Sequence, residues 1–436
     1  MVVRNARNNN MKAFHRYAAI LLIGAVLALT FFIPSAMAAG VWLYEGGQPD
    51  VGMASAGRTA LANDASTAGT NPAGMTRLEG NQAMVAVQPL LVRMKFDADA
   101  ETTTSGSNGG NAGDWAMAGG GSYVHSLSPD FKLGLAFGSY FGLGIDYNDN
   151  WVGRYYVTEA EFITVGFNPA AAYRINDWLS VGGGISMVYA ELDQKAAINN
   201  ALDALPDGEL EMKDDDIGYG FNLGLLFEPL EGTRFGISYR SKVDIEFEDV
   251  LSIKGLGPTL QAALGGLTGS EVDLEMNIPQ MVMNSAYHEL TDWLAITANI
   301  GWQEWSDFGK SDITISSDTT TSFTQDRNYK DTWHFALGMQ YQISDPWLVR
   351  AGIAYDKSPV DDDDRTPDLP LDRQIRYAAG ADYEWDDNLT IGFAYEYMDA
   401  GDAEIDQFRG PLAGRLKGEY DTNEVHFFVF NVNWKF

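Results

Sequence analysis

Residues able to do bond-breaking or redox chemistry are scarce in this chain. Its 436 residues include no cysteine and five histidines, which excludes a disulfide framework and a thiolate metal or redox site. The sequence has no H-E-x-x-H, G-x-S-x-G, P-loop or G-x-G-x-x-G motif, the usual signatures of zinc proteases, serine hydrolases and nucleotide-binding enzymes. His334 is the one candidate for a hydrolase triad, and an ordinary hydrogen-bonded interior histidine is the more common situation. The sequence therefore predicts neither an enzyme nor a cofactor.

The acidic run Asp361-Asp362-Asp363-Asp364 is the remaining candidate for chemistry. Carboxylate oxygens are the ligands that Ca²⁺ prefers in proteins, so the run could bind a divalent ion. Such runs are more often solvated loops. The sequence does not decide between these alternatives, and we predict no metal site.

The charge balance narrows the class of partner. Lys and Arg number 29 against 60 Asp and Glu, which gives a formal net charge of −31. Phosphate recognition needs clustered cations, so we do not expect this chain to bind nucleic acid. Aromatic residues make up 12% of the chain and 46 residues are glycine, a composition that favours many amphipathic strands over several α/β cores.

The first 38 residues have the three regions of a signal peptide. A cationic start is followed by an apolar stretch over 18–33 and by the cleavage motif Ala36-Met37-Ala38. The alternative is a single-pass anchor, but an apolar run of about 16 residues is short for a membrane span. We therefore predict residues 1–38 to be removed and the mature protein to be exported.

Alternation of apolar and polar residues indicates membrane-spanning strands. In the segment 333–343 the residues on one face are Trp333, Phe335, Leu337, Met339, Tyr341 and Ile343. The other face carries His334, Ala336, Gly338, Gln340 and Gln342. Similar runs of about ten residues recur, enough to cross a hydrocarbon layer when tilted, with aromatics near their ends. A soluble β-sandwich also alternates, but its strands are usually shorter.

The connections between strands distinguish a barrel from a sandwich. We count about fourteen strand-like segments, near 82–97, 115–126, 130–142, 160–175, 178–191, 217–228, 233–250, 271–289, 293–305, 330–343, 347–357, 373–385, 388–400 and 420–436. Every second connection is a tight turn such as Asn176-Asp177 or Asp386-Asp387, and the others are long and polar. This asymmetry is typical of outer-membrane barrels, with the long loops extracellular. Only a closed sheet satisfies its backbone groups in lipid. The predicted fold is therefore all-β, a 14-stranded antiparallel transmembrane barrel over residues 81–436.

Residues 39–80 break the strand pattern. They hold eight glycines and eight alanines, and small residues allow a compact segment to pack against a glycine-rich inner wall. A barrel of about fourteen strands encloses a lumen wide enough for such a plug. We therefore predict an N-terminal hatch over residues 39–80, with a disordered tail as the alternative.

Several stretches resemble one family of barrels. They are Ala39-Gly40, Asn63-Asp64-Ala65, Asn71-Pro72-Ala73, the Trp151-Val152-Gly153-Arg154-Tyr155-Tyr156 stretch, the segment from Asn168 to Ser180 and, more weakly, 273–279. In this order and within this strand count they resemble the FadL family of outer-membrane transporters of hydrophobic compounds. The resemblance covers the whole mature chain.

The resemblance implies a route as well as a fold. Family members carry long-chain fatty acids or, in one branch, aromatic hydrocarbons, and a kink in the third strand opens the wall sideways. Carried over, Asn71, Pro72 and Ala73 of the hatch would contact that kink, which would fall between Gly134 and Gly138. The glycines of this strand could equally serve ordinary packing in the lumen.

Two long loops have helical apolar stripes, over 196–205 and 258–267. We expect short helices there, in extracellular loops. The resemblance implies that they form a groove that captures an acyl chain, lined by Ile198, Ala201, Leu202, Leu205, Leu260 and Leu264. Alternatively the two helices pack together as a rigid cap, and both descriptions can hold.

A fatty-acid carboxylate would need a cation. Arg154, in the matching stretch, is the first candidate for the head group, and lumen-facing Arg350 and Arg376 are others. In so acidic a chain each of these is more often paired with an acid.

The sequence thus predicts a passive outer-membrane transporter, most simply of long-chain fatty acids, with hatch movement and lateral release. The alternatives are uptake of aromatic or alkane hydrocarbons, and a structural or adhesive barrel with a permanent plug. The expected partners are hydrophobic small molecules, outer-membrane lipid with lipopolysaccharide, and the barrel assembly machinery, with the chain as a monomer. The terminal aromatic Phe436 on an alternating strand resembles the assembly signal of such barrels.

Overall fold

The computed structural model describes residues 48–436 except 265–267 and 317–319. The predicted signal peptide 1–38 and the start of the predicted hatch, 39–47, lie outside the described residues. The strands are β1 (Gln82–Ala98), β2 (Trp115–Ser126), β3 (Phe131–Asp146), β4 (Glu159–Asn176), β5 (Leu179–Ile198), β6 (Gly208–Leu230), β7 (Thr233–Arg240), β8 (Val243–Val250), β9 (Ser252–Lys254), β10 (Glu271–Ile278), β11 (Met281–Thr291), β12 (Leu294–Gln303), β13 (Lys310–Ser316), β14 (Thr320–Asp326), β15 (Thr332–Ser344), β16 (Trp347–Asp356), β17 (Gln374–Asp386), β18 (Leu389–Asp399), β19 (Ile405–Phe408) and β20 (Arg415–Lys435).

The helices are short. Three-ten helices and short α-helices span Pro49–Met53, Thr67–Thr70, Pro72–Arg77, Ala201–Asp203, Pro258–Leu264, Trp305–Phe308 and Gly410–Ala413. None of the helices among the described residues is long and apolar enough to cross a membrane.

Fourteen antiparallel strands form one closed barrel, which confirms the predicted fold. The order around the wall is β1 to β7, then β11, β12, β15 to β18 and β20, and β20 pairs again with β1. The closing ladder runs from Gln82 opposite Lys435 to Ala98 opposite Gly418, with one register shift after Lys95. Closure leaves no sheet edge, so the backbone groups of the two terminal strands are satisfied within the wall.

The two faces of the wall differ as the alternation predicts. On β15, Leu337 on the outside is 65% exposed, whereas its inward neighbour Ala336 is 3% exposed. Aromatic residues lie near the ends of many strands on the outer face of the barrel. Examples are Trp347, which contacts Tyr383, and Trp434, which contacts Phe436. An apolar outer surface with aromatic ends is the solution that a bilayer requires of a barrel.

Two predicted strands are each two strands in the structure. The segment 233–250 breaks between β7 and β8, and 271–289 breaks between β10 and β11, where Pro279 cannot donate to a ladder. The halves nearer the long loops leave the barrel. There β8 and β10 join β13 and β14 in a separate four-stranded sheet of order β14-β13-β10-β8.

The first predicted loop helix is wrong over Ala196–Ile198. These residues continue β5, and Ile198 pairs with Gly208 of β6. Alanine is the strongest helix former, but intrinsic propensity is small per residue and tertiary contacts override it. The inter-strand ladder outweighs it here. Helix is limited here to Ala201–Asp203, while the second predicted helix is present as Pro258–Leu264.

The N-terminal segment, residues 48–80, packs against the inner face of the barrel wall. Polar groups of the wall bind its backbone: Asn299 donates to the Ser55 carbonyl at 2.6 Å, and Arg234 donates to the Ala60 carbonyl at 2.9 Å. Near the short-turn end, Lys132 donates to the Leu78 carbonyl at 2.9 Å. The segment is therefore held from several sides of the lumen.

Glycines in the wall make room for this segment. A Cβ placed at Gly236 would lie 1.9 Å from the Thr59 carbonyl oxygen, and one at Gly352 would lie 2.1 Å from that of Met53. Only glycine permits so close an approach of two backbones. The glycine-rich inner face is thus the docking surface of the N-terminal segment.

Two adjacent glycines of β5 provide a test. In the variant Gly182→Ala the new Cβ would lie 2.5 Å from the Ala73 nitrogen, so overpacking of about 1–3 kcal/mol should loosen the N-terminal segment. In Gly183→Ala it would lie 3.2 Å from the flexible end of Leu223 on the outer face, and little should change. Protease sensitivity of residues 48–80 and conductance in planar bilayers should rise in the first variant alone. Equal behaviour of both variants would contradict this docking.

Candidate functional site

A cavity of about 490 Å³ lies toward the long-loop end of the barrel. One side is the upper part of β3 to β6, and the other is the separate four-stranded sheet. Its apolar lining includes Phe141, Phe162, Leu192, Ile198, Leu210, Met212, Val272, Leu274, Met276, Phe308, Ile313, Ile315 and Phe323. Such a lining suits an apolar ligand.

The separate sheet owes its apolar face to alternation along its strands. On β10, Val272, Leu274 and Met276 face the cavity, while Asp273 and Glu275 alternate with them. Across the ladder, Asp273 stands opposite Glu248 and Glu275 opposite Glu246. One face of the sheet is thus apolar and the other is strongly acidic. The sheet therefore separates the cavity from water.

One ion pair lines the cavity within the described part of the chain. Arg327 and Asp368 are joined at 2.8 Å and are 22% and 9% exposed. Burial alone would lower the pKa of Arg327, but the carboxylate of Asp368 outweighs it and raises that pKa. Burial alone would raise the pKa of Asp368, and the Arg327 charge holds it below its usual value instead. Both groups therefore stay charged, and the pair adds no net charge to the cavity.

An aromatic cluster forms the base of the cavity near β3. Phe141 lies 5.1 Å from the ring of Phe162 and 5.3 Å from that of Phe308, measured between ring centroids. Phe308 in turn contacts Trp305 at 5.2 Å. Phe141 is fully buried, so the cluster closes the cavity on the side where β3 forms the wall.

The wall is interrupted between β2 and β3. Their pairing runs only from Ser126 opposite Lys132 to Gly120 opposite Gly138. Beyond Gly138, β3 continues paired with β4 and contains a bulge between Ser139 and Phe141. Above it, β3 approaches the segment that precedes β2, where the Asp146 nitrogen donates to the Ala112 carbonyl at 2.9 Å. Between these contacts lies a gap, the wall opening, bordered by residues 115–119 of β2 and 139–145 of β3.

The two glycines predicted for the kink have different environments. Gly138 is the last β3 residue paired with β2 and lies directly below the bulge. Gly134 lies in regular pairing, and a Cβ there would be 2.3 Å from the Met75 sulfur. Gly134 therefore makes room for the N-terminal segment, whereas Gly138 marks the lower edge of the wall opening.

The expected contact of Asn71, Pro72 and Ala73 with the third strand is not what the structure shows. The Asn71 amide donates to the Thr59 carbonyl at 2.6 Å and to the Leu225 carbonyl of β6 at 2.9 Å. Pro72 and Ala73 pack on Gly182 of β5. The contacts with β3 come from other residues of the segment, Ala68 and Met75 at Gly134 and Gly69 at Ala136.

Arg154 lies in the loop layer and not on the cavity. Its Nε donates to Asp207 at 2.8 Å, and its remaining donors reach the Ser105 and Trp151 carbonyls and the Tyr155 hydroxyl. Trp151 stacks on Tyr147 with ring centroids 3.8 Å apart. The stretch that suggested the family is therefore an anchor that joins several loops.

The six residues of the predicted groove separate into three groups. Ile198 lines the cavity, and Leu260 is buried at 5% exposure. Ala201, Leu202 and Leu205 are exposed at the tip, with Leu202 at 62%, and the side chain of Leu264 lies outside the described residues.

Polar bonds join the two loop helices. The Thr259 hydroxyl donates to Asp203 at 2.7 Å, and the Gly257 nitrogen donates to Asn200 at 2.9 Å. The loops therefore form a joined cap with exposed apolar residues above the cavity.

Other candidates from the sequence have partners elsewhere. His334 bonds to Asp356 at 3.0 Å, and Arg376 is paired with the same carboxylate. Arg350 pairs with Asp382 and donates to the Pro49 carbonyl at 3.1 Å. These groups belong to the lumen and to the N-terminal segment rather than to the cavity.

The acidic run is engaged with neighbouring loops. Asp361 pairs with Lys330, and Asp362 accepts from Arg365 at 2.7 Å. Across the described ranges, no group of three or more His, Asp or Glu could hold a metal ion.

Sequence reasoning missed most of the cavity. Val272, Leu274 and Met276 alternate with acids, a signal that could have indicated a sheet with one face against a cavity. Arg327 and Asp368 are 41 residues apart in number, and no local pattern joins them.

Comparison with known proteins identifies the family. A model of the family described as outer membrane protein transport protein (OMPP1/FadL/TodX) matches residues 29–436. The chain is 26% identical over 440 residues to a long-chain fatty acid transport protein of Escherichia coli O6:H1, covering 94% of this chain and 97% of the relative. It is 26% identical over 404 residues to outer membrane protein P1 of Haemophilus influenzae, covering 83% and 86%.

Solved structures share the fold. A FadL homologue from Pseudomonas aeruginosa superposes with a TM-score of 0.83 at 23% identity, covering 91% of this chain and 100% of the other. The toluene transporter TodX of Pseudomonas putida gives a TM-score of 0.66 at 16% identity, covering 93% and 100%. The family consists of transporters and not of enzymes. With its closed barrel and a family match over nearly all its length, the chain belongs to the FadL/TodX family of outer-membrane transporters of hydrophobic compounds.

Proposed function

We propose that this protein carries long-chain fatty acids passively inward, from the cavity through the wall opening into the bilayer. The observation that carries the proposal is that Phe141 lines the cavity and also stands at the bulge where β3 loses its pairing with β2. Cavity and opening thus share one side chain. Fatty acid is the cargo named for the Escherichia coli relative.

The energetics require a release step. Burial of a methylene group contributes about 0.8 kcal/mol, so a sixteen-carbon chain gains roughly ten kcal/mol before ordering costs. That gain is ample for capture but opposes fast release, and a conformational step must therefore disrupt the site.

Residues 39–80 act as the hatch in this proposal. The described part, from Gln48 onward, fills the lumen and is tethered by groups on several strands. A water-filled path would therefore be blocked while the apolar route to the bilayer remains. Movement of the hatch segment that touches Gly134 and Ala136 would act directly on β3, below the opening.

Arg327 is the cation that we assign to a carboxylate head group in the cavity, in preference to Arg154. It lines the cavity, whereas Arg154 is committed to Asp207. A substrate carboxylate would share the guanidinium with Asp368.

Aromatic hydrocarbons are the second candidate cargo. Phe141, Phe162, Phe308 and Phe323 line the cavity, and the Arg327–Asp368 pair adds no net charge to it. Glu161 adds an acidic side chain to the lining, which favours an uncharged cargo over a carboxylate. Competition of oleate against toluene for the purified protein separates the two cargoes. A structural or adhesive barrel with a permanent plug would leave uptake unchanged when the gene is deleted.

Assembly and surroundings are proposed by analogy with other outer-membrane barrels. Phe436 is built into the closing seam, where its nitrogen donates to the Asn81 carbonyl at 2.9 Å. This position suits a C-terminal signal read by the assembly machinery. We propose a monomer whose acidic loop sheet adjoins lipopolysaccharide.

Neighbouring residues of β10 test the cavity. Leu274→Asn places an unpaired amide among apolar groups, which costs about 1–3 kcal/mol, so the affinity for a fluorescent fatty acid should fall about tenfold. Asp273→Asn changes the other face and should leave the affinity unchanged. Equal affinities of the two variants would remove the cavity as the binding site.

A staple across the wall opening tests the exit. Because the chain has no native cysteine, Met117→Cys with Ser139→Cys can be joined selectively by a short bismaleimide. Binding of oleate should persist, while its delivery into liposome bilayers should fall to the protein-free rate. The control staple, Tyr123→Cys with Leu135→Cys, joins a pair already in register below the opening and should not slow delivery. Normal delivery through the stapled opening would exclude lateral release there.

Arg154 can be tested separately. Arg154→Ala should leave fatty-acid affinity within about twofold, because the residue lies outside the cavity, but should increase hydrogen exchange around Ser105 and Asp207, its present partners. Tyr155→Phe, which removes one acceptor but keeps the ring, is the milder control. A tenfold loss of affinity with unchanged exchange would instead make Arg154 the head-group residue.

A further inference from the structure

Four polar side chains face the lumen at one level of the wall, close to the opening. Ser122 of β2 stands opposite Ala136 of β3, which stands opposite Asn168 of β4. Ser186 of β5 and Asn222 of β6 continue the set, because Asn168 bonds to both. We call Ser122, Asn168, Ser186 and Asn222 the polar shelf. All four are at least nine-tenths buried, with Asn168 and Asn222 each 1% exposed.

The hydrogen bonds within the shelf leave some of its groups unused. The Asn168 amide donates to the Ser186 hydroxyl and to Asn222 Oδ1, each at 3.1 Å, and to the Ile185 carbonyl at 2.9 Å. Within the described residues, Asn168 Oδ1, Asn222 Nδ2 and Ser122 Oγ have no hydrogen-bond partner. Buried polar atoms are nearly always paired, and an unpaired one is costly. The shelf therefore offers one acceptor, one amide donor and one hydroxyl.

The shelf lies between the wall opening and the docked hatch. Two residues above Ser122 and Ala136 are Gly120 and Gly138, the last pair before β2 and β3 separate. Two residues along β6 from Asn222 is Gly224, where a Cβ would lie 2.0 Å from Asn71 Oδ1 of the hatch. Cargo that moves from the cavity toward the bilayer would meet the shelf when the hatch shifts.

The chemistry of the shelf indicates what it would bind. A carboxyl group can accept from Asn222 Nδ2, and in its protonated form it can donate to Asn168 Oδ1. Ser122 lies four strands from Asn222 around the wall, so its hydroxyl is a separate donor for a carboxyl group nearer the opening. Arg240 stands opposite Asn222 on β7 and donates to the Gly69 carbonyl of the hatch at 3.2 Å. A guanidinium at this place also favours a carboxylate. A bare hydrocarbon can use none of these groups.

We infer that the polar shelf is a second binding site, which holds the carboxyl head of a fatty acid while its tail leaves through the wall opening. The inference rests on the proposed function and adds a step to it. The cavity holds the apolar chain before release, and the shelf receives the head group during release. Because Arg240 also binds the hatch, a carboxylate on the shelf competes with the Gly69 carbonyl and couples cargo to hatch movement.

Photochemical labelling of the wild-type protein tests the site directly. Two fatty acids of the same length are compared in proteoliposomes, one with a diazirine next to the carboxyl group and one with it at the far end of the chain. The carboxyl-proximal probe should label peptides that contain Asn168, Ser186 or Asn222, and the far-end probe should not. Equal labelling of these peptides by both probes, or labelling by neither, would overturn the inference.

Variants provide the functional arm. Asn168→Leu and Asn222→Leu remove the amides at nearly constant volume, and Gln340→Leu is the matched control, because it removes a lumen amide that is 5% exposed on the distant strand β15. Oleate delivery should fall about tenfold in the two shelf variants, as expected for the loss of hydrogen bonds to a charged group, while toluene passage and the control stay at the wild-type rate. Heat-modifiable migration in gels verifies that each barrel is folded.

The outcomes separate this inference from the proposed function. Wild-type protein that delivers oleate, with unchanged delivery by both folded shelf variants, overturns the shelf alone. Equal loss of oleate and toluene in the shelf variants also overturns it, because a general defect of the wall would act on both cargoes. Wild-type protein that delivers no oleate overturns the proposed cargo and the shelf together. If both leucine variants fail to fold, Asn222→Ser, which keeps a donor but shortens its reach, should still slow oleate and not toluene.

Discussion

The structure depends on one constraint, that a backbone amide facing hydrocarbon must be hydrogen-bonded within the wall. The chain satisfies it by pairing β1 with β20 along nearly their whole length. The same constraint makes the gap between β2 and β3 costly. That gap is confined to the upper part of the wall, below the contact of Asp146 with Ala112, and is backed by the ring of Phe141. Unpaired backbone groups at the opening cost stability. The opening is therefore better explained by function than by stability.

Features governed by local pattern were accessible from the sequence. Alternation along 333–343 indicates which residues contact lipid, because successive side chains in a strand point to opposite faces of the sheet. Tight turns such as Asn176-Asp177 report where the chain reverses, since turn chemistry is local. The fourteen barrel strands and the packing of small residues of 48–80 inside the wall both follow from such signals. The family resemblance predicted a kink between Gly134 and Gly138, and the structure has a bulge just beyond that range, between Ser139 and Phe141. Alternation alone does not locate such a bulge.

Features governed by long-range pairing were not accessible. Ala196–Ile198 has the composition of a helix, yet the ladder to Gly208 makes it a strand. The docking of Asn71 on β6 depends on Gly224, more than 150 residues away in the chain, and no spacing rule connects the two. The cavity depends on a sheet whose four strands come from two loops, one between β7 and β11 and one between β12 and β15. In each case the deciding partner is distant in sequence, so the local preference is overruled by tertiary contact.

Strands β2 to β6 form the wall along the whole proposed route. The upper ends of β3 to β6 line the apolar cavity, the opening lies between β2 and β3, the polar shelf crosses the middle of β2 to β6, and the lower ends contact the N-terminal segment. An amphipathic cargo needs this order. Its chain can leave water only where apolar surface is offered, and its head can cross low-dielectric surroundings only where hydrogen bonds replace those of water. A route with apolar surface alone would let hydrocarbons pass but would leave a carboxyl group without hydrogen bonds. The buried amides of Asn168 and Asn222 are therefore the feature by which this wall would favour fatty acids.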